Sequence, residues 1–159
     1  NMSKIIYLSK EGYENLKSDL DRLKNKERPK IINQIAEARD KGDLSENAEY
    51  DAAKEAQGLL EARIAKLESD IVNARILQES NTELNSVRLL TKVTIENLEN
   101  NVQMQYAIVS HAEADLSKQK ISVDSPIGKG LLGRKIEDVV SVNVPSGIMK
   151  FKIIKIDKF

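Results

Sequence analysis

The 159-residue sequence contains no cysteine and no tryptophan, and it has a single histidine. Without cysteine the chain has no disulfides, no zinc–thiolate site and no cysteine nucleophile. Aromatic residues make up only 4% and charged residues 31%, which favours exposed helix over a large compact core. The 25 basic residues are balanced by 25 acidic ones, which excludes a protein that coats nucleic acid through excess positive charge. Because no apolar run approaches the roughly 18 residues of a membrane span, we expect a cytoplasmic protein without membrane contact.

Glycine and proline are scarce in the first half, where strong helix formers dominate up to about residue 79. Apolar residues recur there at steps of three and four, which predicts two amphipathic helices joined by a very short turn at Gly42. The stripe of the first helix changes phase near Pro29, where we expect a local kink. The stripe of the second helix is a heptad seam made of Tyr50, Ala53, Gln57, Leu60, Ile64, Leu67, Ile71 and Ala74. Two such helices must fold back on each other as an antiparallel pair.

The second half contains short β-branched or alternating runs separated by turns. Ser125 is predicted to cap a short helix that begins at Pro126 and ends at Gly133. The pattern therefore predicts an α+β protein, with an antiparallel α-helical coiled-coil finger over residues 1–79 and a domain with a mostly antiparallel sheet over residues 80–159. The predicted strands are Leu90–Ile95, Val102–Val109, Val139–Val144 and Met149–Ile156.

Six carboxylates between Asp40 and Glu55 give the finger an acidic tip near residues 40–50. Asp43 and Glu46 have the spacing of a capping box, in which Asp43 is the N-cap of the returning helix and Glu46 its third residue. The spacing alone favours this capping role. Two carboxylates at positions i and i+3 can also point the same way and contribute ligands to a metal ion, so metal binding stays open as the alternative.

Two other groups of polar residues have simpler interpretations. The basic cluster of Lys24, Lys26, Arg28 and Lys30 is most simply a solvated helix face, and contact with a nucleic-acid backbone is the alternative. The lone His111 has no serine and aspartate partners at a catalytic spacing, so we expect a surface histidine.

The run Gly-Asp-Leu-Ser-Glu-Asn-Ala-Glu-Tyr at Gly42–Tyr50, with Ile35–Arg39 before it, closely resembles the signature of the bacterial Gre family of transcript-cleavage factors, of the GreA type. Glu27–Pro29, Ile121–Gly128 and Val144–Gly147 fit the same family, so the resemblance covers nearly the whole chain. It implies an N-terminal antiparallel coiled coil and a C-terminal domain of the FKBP-like fold. Both expectations agree with the division drawn from the residue pattern.

The resemblance also implies a function, that of a transcription elongation factor. Members of this family bind bacterial RNA polymerase and insert their coiled coil in its secondary channel. There they stimulate cleavage of the 3′ end of backtracked RNA, which rescues stalled complexes. The resemblance therefore implies an accessory factor, not an enzyme, whose partners are the polymerase and the RNA and DNA of the elongation complex. We expect a monomer that works in the bacterial cytoplasm with the nucleoid.

The matching motif positions imply roles for five residues. Asp43 and Glu46 match the two acidic tip residues that stimulate cleavage and share Mg²⁺ with the polymerase active site. We expect no tight Mg²⁺ binding by the free protein, because two carboxylates leave most of an octahedron to water. Asp124, Ser125 and Pro126 match the stretch through which the C-terminal domain docks on the polymerase.

Three alternative functions differ in what they require of the sequence. A regulator that occupies the channel without stimulating cleavage would carry a different tip, and the intact Gly42–Tyr50 run argues against it. A peptidyl-prolyl isomerase needs an aromatic-lined pocket, yet the aromatic residues beyond residue 80 are only Tyr106, Phe151 and Phe159. A plain coiled-coil adaptor would not depend on the acidic tip.

Overall fold

The computed structural model describes residues 4–42, 47–77 and 84–159, which divide into two compact units. The helical unit contains Glu11–Ala74, and the sheet unit contains Ile6–Lys10 and Arg75–Phe159. Within the described ranges, no helix is both long enough and apolar enough to cross a membrane.

The helical unit is a hairpin of two helical arms. The first arm consists of α1 (Lys10–Arg22), a π-helical turn (Leu23–Glu27) and α2 (Arg28–Asp40). The second arm is α3 (Ala48–Val72), which packs against α2. This arrangement confirms the predicted antiparallel pair of long helices.

Apolar side chains from both arms form the core of the hairpin. Leu23 meets Leu60 and Ile64, and all three are buried. Partly buried side chains extend this seam on both arms, namely Leu20, Ile31 and Leu67. The buried positions of α3 therefore include members of the predicted heptad seam.

The π-helical turn keeps the apolar stripe of the first arm facing α3. Leu23 and Ile31 both contribute to the seam although they are eight residues apart, a spacing that would rotate the side chain by about 80° in a regular α-helix. The wider turn takes up the extra residue, since the N–H of Arg28 reaches back to the carbonyl of Leu23. The change of phase predicted near Pro29 is thus confirmed as a π-helical turn that ends two residues before the proline.

The sheet unit begins with a short strand, β1 (Ile6–Leu8), which pairs with β2 (Ala74–Ile76) in a two-stranded sheet. Its larger sheet contains five strands, which are β3 (Thr91–Asn97), β4 (Gln103–Val109), β5 (Lys120–Ser122), β6 (Val139–Val144) and β7 (Gly147–Lys158). These lie in the order β5-β4-β3-β7-β6. All neighbours are antiparallel except β4 and β5, which are parallel. The predicted α+β class with a mostly antiparallel sheet is confirmed.

Alternating residues of these strands form the core of the sheet unit. In β3 every second side chain is buried, as the period of a strand with one covered face requires. A 3₁₀ turn at Leu116–Lys118 precedes β5, and helix α4 (Pro126–Leu131) packs on β6 and contributes the fully buried Leu131. The four predicted strands correspond to β3, β4, β6 and β7. The prediction did not include β1, β2 and β5, because three residues are too few to show an alternating pattern.

A buried carboxylate in the sheet unit is hydrogen-bonded to Ser9, the residue that follows β1. Glu113 accepts hydrogen bonds from the backbone N–H of Ser9 at 3.0 Å and from its hydroxyl at 2.5 Å. The Nζ of Lys120 lies 3.9 Å from the same carboxylate. A charge can be buried when it is paired and hydrogen-bonded in this way, so Glu113 holds together segments that are 104 residues apart.

Substitution of Gly58 tests the helical unit. Gly58 is exposed inside α3, and a Cβ at this position would meet no atom within 4 Å. Gly58→Ala should raise the free energy of unfolding by about 0.5–1 kcal/mol, because glycine loses more backbone entropy than alanine in a helix. Urea unfolding followed by circular dichroism measures the change. As a control, Gly128→Ala should destabilise the sheet unit, because its Cβ would lie 2.2 Å from the carbonyl oxygen of Ser122. An unchanged or lower stability for Gly58→Ala would contradict the prediction.

An ion pair across the hairpin makes its stability depend on pH. The Nε and Nη2 of Arg28 donate to the two carboxylate oxygens of Glu61 at 2.9 and 2.7 Å. This hydrogen bond lowers the pKa of Glu61 from its ordinary value. The pair therefore stabilises the fold at a pH above the unfolded pKa of Glu61, and this contribution is lost as the pH falls through the folded value.

We expect Glu61→Gln to be less stable than the parent at neutral pH, and the difference should shrink in acid. Urea midpoints across the acidic range measure it. In an Arg28→Gln background the same change should have no such pH-dependent effect, because the partner is gone. A difference that stays constant with pH would rule out this role for the pair.

Candidate functional site

The side chain of Asn47 connects the two arms where the hairpin turns. Asn47 is the N-cap of α3, and its Oδ1 accepts a hydrogen bond from the backbone N–H of Tyr50 at 3.1 Å. Its Nδ2 donates to the carbonyl of Ala38, in the last turn of α2, at 2.5 Å. One amide therefore satisfies a free donor at the start of one helix and reaches a carbonyl near the end of the other.

The prediction that Asp43 is the N-cap of the returning helix is wrong. The helix begins at Ala48, so Asp43 lies four residues before the observed cap at Asn47. Asp43 and Glu46 themselves lie outside the described residues, between Gly42 and Asn47 in the chain. The capping role that competed with metal binding is taken by Asn47.

The sequence did contain a signal for Asn47 as the cap. Asparagine is among the most favoured N-cap residues, and Glu49 and Asp51 follow it in the first turn of α3, where acidic residues suit the helix dipole. The capping-box spacing of Asp43 and Glu46 is compatible with an earlier start of the same helix. Only the observed helix boundary distinguishes a cap at Asp43 from a cap at Asn47.

Two further contacts cross the hairpin beside Asn47. The Nζ of Lys41 donates to Oε2 of Glu49 at 2.9 Å, and this hydrogen bond raises the pKa of Lys41. The guanidinium of Arg39 lies 6.0 Å from the ring centre of Tyr50, within the range of a cation–π contact. Exposed contacts of these kinds are individually weak, but both join the same two helix ends as the Asn47 amide.

Small side chains leave an open groove between the arms next to these contacts. Its volume is about 340 Å³. Alanines line much of it, while Gln34, Glu37, Lys41 and Glu49 supply its polar part. Near the turn the helices therefore pack through small residues, in contrast to the leucine and isoleucine seam around Leu60.

The basic cluster of the first arm is partly neutralised by α3. Arg28 makes the bidentate contact with Glu61, and the Nζ of Lys24 lies 3.8 Å from the carboxylate of Glu68. These two pairs face the second arm of the hairpin itself. This pairing favours a role for Arg28 and Lys24 in the hairpin over a free surface for nucleic acid.

The predicted docking stretch lies at the start of α4. The hydroxyl of Ser125 accepts from the N–H of Gly128 at 3.0 Å and donates to the carbonyl of Ser122 at 2.6 Å, which confirms Ser125 as the N-cap. Pro126 is the first residue of the helix. Asp124 is exposed, and its backbone N–H donates to the hydroxyl of Ser122 at 3.0 Å. The exposed Asp124 thus lies in a hydrogen-bonded turn.

Comparison with known proteins identifies the family. The model of the N-terminal domain of GreA/GreB transcription elongation factors matches residues 6–76, and the model of their C-terminal domain matches residues 81–158. The chain is 53% identical to transcription elongation factor GreA of Flavobacterium johnsoniae over 157 residues, which is 99% of both chains. It is 54% identical to that of Christiangramia forsetii over 155 residues, which is 98% of both chains. The solved structure of the transcription factor Gfh1 is similar at 32% identity over 98% of this chain and 99% of that one, with a TM-score of 0.49. From the two domain matches and the near full-length identities, this chain belongs to the GreA/GreB family of transcription elongation factors.

Proposed function

We propose that the protein binds bacterial RNA polymerase, inserts its helical hairpin in the secondary channel and stimulates cleavage of the 3′ end of backtracked RNA. Membership of an elongation-factor family supports a role in transcription by RNA polymerase. The Gly42–Tyr50 run supports the cleavage role. One structural observation carries the assignment of the acidic residues: Asn47 caps α3, so Asp43 and Glu46 are not required to start that helix. Carboxylates crowded at a turn repel each other, and a bound cation would compensate that repulsion.

Mg²⁺ shared with the polymerase is the proposed cofactor. Asp43 and Glu46 fit it, because Mg²⁺ prefers carboxylate oxygens and usually takes one or two carboxylates together with phosphates and water. In the part of the chain that the structure describes, no group of three or more histidine, aspartate or glutamate side chains could hold a metal ion. We propose that the free protein binds Mg²⁺ weakly and that the complete site forms with the polymerase and the RNA. When bound, Mg²⁺ activates water and neutralises the developing charge on the phosphate.

The chain acts as an accessory factor in this proposal, and the polymerase performs the hydrolysis. The packed seam around Leu23, Leu60 and Ile64 gives the hairpin the rigidity to carry two carboxylates to a distant site. The exposed Asp124 beside the capped α4 gives the sheet unit a surface for docking on the polymerase. We propose that the factor works as a monomer in the bacterial cytoplasm with the nucleoid, in contact with the RNA and DNA of the elongation complex.

Two of the aromatic residues of the sheet unit belong to its core, which does not favour a peptidyl-prolyl isomerase. Phe151 is fully buried in the core of that unit, and Tyr106 packs against the same core. Phe151 is therefore not available to line an open substrate pocket.

The tip carboxylates provide the direct test of the proposal. Asp43→Ala and Glu46→Ala should each lower the stimulated cleavage of RNA in stalled elongation complexes by about 100-fold or more, because positioned charges are worth several kcal/mol in a transition state. Binding to the polymerase should stay near the parental value. Asp51→Ala removes a nearby carboxylate from the first turn of α3 and serves as the matched control, with cleavage within a few-fold of the parent.

Two results would contradict this assignment. Either tip variant could cleave within a few-fold of the parent, which would remove that carboxylate from the site. Alternatively, the parent could bind the polymerase and slow synthesis without stimulating cleavage. That result would favour the channel-occupying regulator.

The docking surface is tested through Asp124. Asp124→Lys reverses an exposed charge and should weaken polymerase binding about tenfold or more, while the melting temperature should stay nearly constant. Cleavage should fall at limiting factor and recover at saturation, unlike the tip variants. Glu99→Lys, at an exposed turn of the same unit, is the control and should bind like the parent. Unchanged affinity for Asp124→Lys would exclude this residue from the interface.

A further inference from the structure

We propose that Asn47 is a positioning residue for the tip. Its side chain joins the end of α2 to the start of α3, the two helix ends that flank residues 43–46 in the sequence. This inference rests on the proposed function, in which Asp43 and Glu46 stimulate cleavage. Asn47 need not touch the RNA or a metal ion in this role.

The two hydrogen bonds of Asn47 use both the oxygen and the nitrogen of its side-chain amide. Oδ1 must accept from the N–H of Tyr50, and Nδ2 must donate to the carbonyl of Ala38. Serine retains an acceptor at an N-cap but cannot also reach across to the other helix. Aspartate retains the acceptor but loses the donor, and it would add a negative charge to an acidic turn. Among the good N-cap residues, asparagine alone combines the cap with a neutral cross-link.

The carbonyl of Ala38 accepts hydrogen bonds from both helix ends. Lys41 is the C-cap of α2, and its N–H also donates to the carbonyl of Ala38, at 3.2 Å. Ala38 is 4% exposed, so the carbonyl that accepts both hydrogen bonds belongs to a buried residue of the hairpin. Gly42 follows with a φ of +149°, which a residue with a side chain rarely adopts. The Nδ2 of Asn47 donates to the same carbonyl of Ala38. Lys41 and Asn47, which lie at the two helix ends, are therefore both hydrogen-bonded to one carbonyl.

We expect the Asn47 cross-link to matter more for the rate of cleavage than for binding to the polymerase. Groups that take part in a reaction must be held close to their productive geometry, and a displacement of about 1 Å can cost 100-fold in rate. The proposed docking residue Asp124 lies in the sheet unit, whereas Asn47 lies in the helical unit. Loss of the cross-link should thus lower the maximal rate while leaving the affinity for polymerase nearly unchanged.

Asn47→Ser is the most informative variant, because it keeps the cap of α3 and removes the bond to Ala38. On stalled elongation complexes we expect its maximal cleavage rate to fall about tenfold or more. The half-saturating factor concentration should stay within about twofold of the parent, and the Mg²⁺ concentration at half-maximal cleavage should rise. Asn73→Ser is the matched control, since Asn73 also donates its Nδ2 to a helix carbonyl, that of Ser69 at 2.9 Å, at the other end of α3. This control should cleave like the parent.

Hydrogen exchange of the free protein gives a readout that does not depend on cleavage. In Asn47→Ser the Lys41 amide should exchange faster than in the parent, because the turn is no longer tied at Ala38. The Tyr50 amide should remain protected, because the hydroxyl of serine can still cap it. In Asn47→Ala both amides should exchange faster.

Different outcomes separate this inference from the proposed function. A parental maximal rate for Asn47→Ser would overturn the positioning role and leave the proposed function intact. An equal loss of maximal rate in Asn73→Ser would show that Asn47 has a merely structural role and would overturn the inference. A rise in the half-saturating concentration of Asn47→Ser that accounts for its slower cleavage would also overturn it. A parent protein that stimulates no cleavage would overturn the proposed function and the positioning role together, while unchanged Lys41 exchange in Asn47→Ser would refute the cross-link itself.

Discussion

The hairpin depends on the apolar side chains of both arms reaching one shared seam. The π-helical turn makes this possible, since it takes up the extra residue between Leu23 and Ile31. The same phase orients the far end of the first arm, because one residue more or fewer would rotate Ala38 by about 100°. Its carbonyl would then no longer face Asn47. The contact between Asn47 and Ala38 therefore depends partly on a backbone irregularity more than ten residues away.

At the end of the hairpin, one neutral side chain provides both the cap of α3 and a contact between the arms. Asn47 caps α3 and ties it to α2 with a neutral amide, so no carboxylate is needed for either contact. Lys41 and Glu49 add an ion pair beside it, and the groove between the arms is lined largely by alanines. The role proposed for Asp43 and Glu46 therefore does not compete with the capping of α3. A carboxylate used as a helix cap is already engaged by backbone N–H groups, and those bonds compete with a cation.

The sheet unit solves a different problem, which is to present a stable surface. Its core closes around fully buried residues such as Phe151, and the buried Glu113 is hydrogen-bonded to Ser9. Ser125 caps α4 through its hydroxyl, and Gly128 fits closely over the carbonyl of Ser122. Asp124 is exposed on the hydrogen-bonded turn before this helix. Its proposed role in docking depends on that exposure.

The sequence by itself determined the features that follow from local periodicity and local turn chemistry. The heptad positions of Leu60 and Ile64, the strand Val139–Val144 and the cap at Ser125 could all be predicted, because each depends on neighbours a few residues away. Only the tertiary structure decided which contacts join distant segments. It brought the amide of Asn47 to the carbonyl of Ala38 and paired Arg28 with Glu61. The physical reason is that these contacts depend on the register of two packed helices, and a one-residue change of register, invisible in the spacing of either helix alone, changes every partner across the seam.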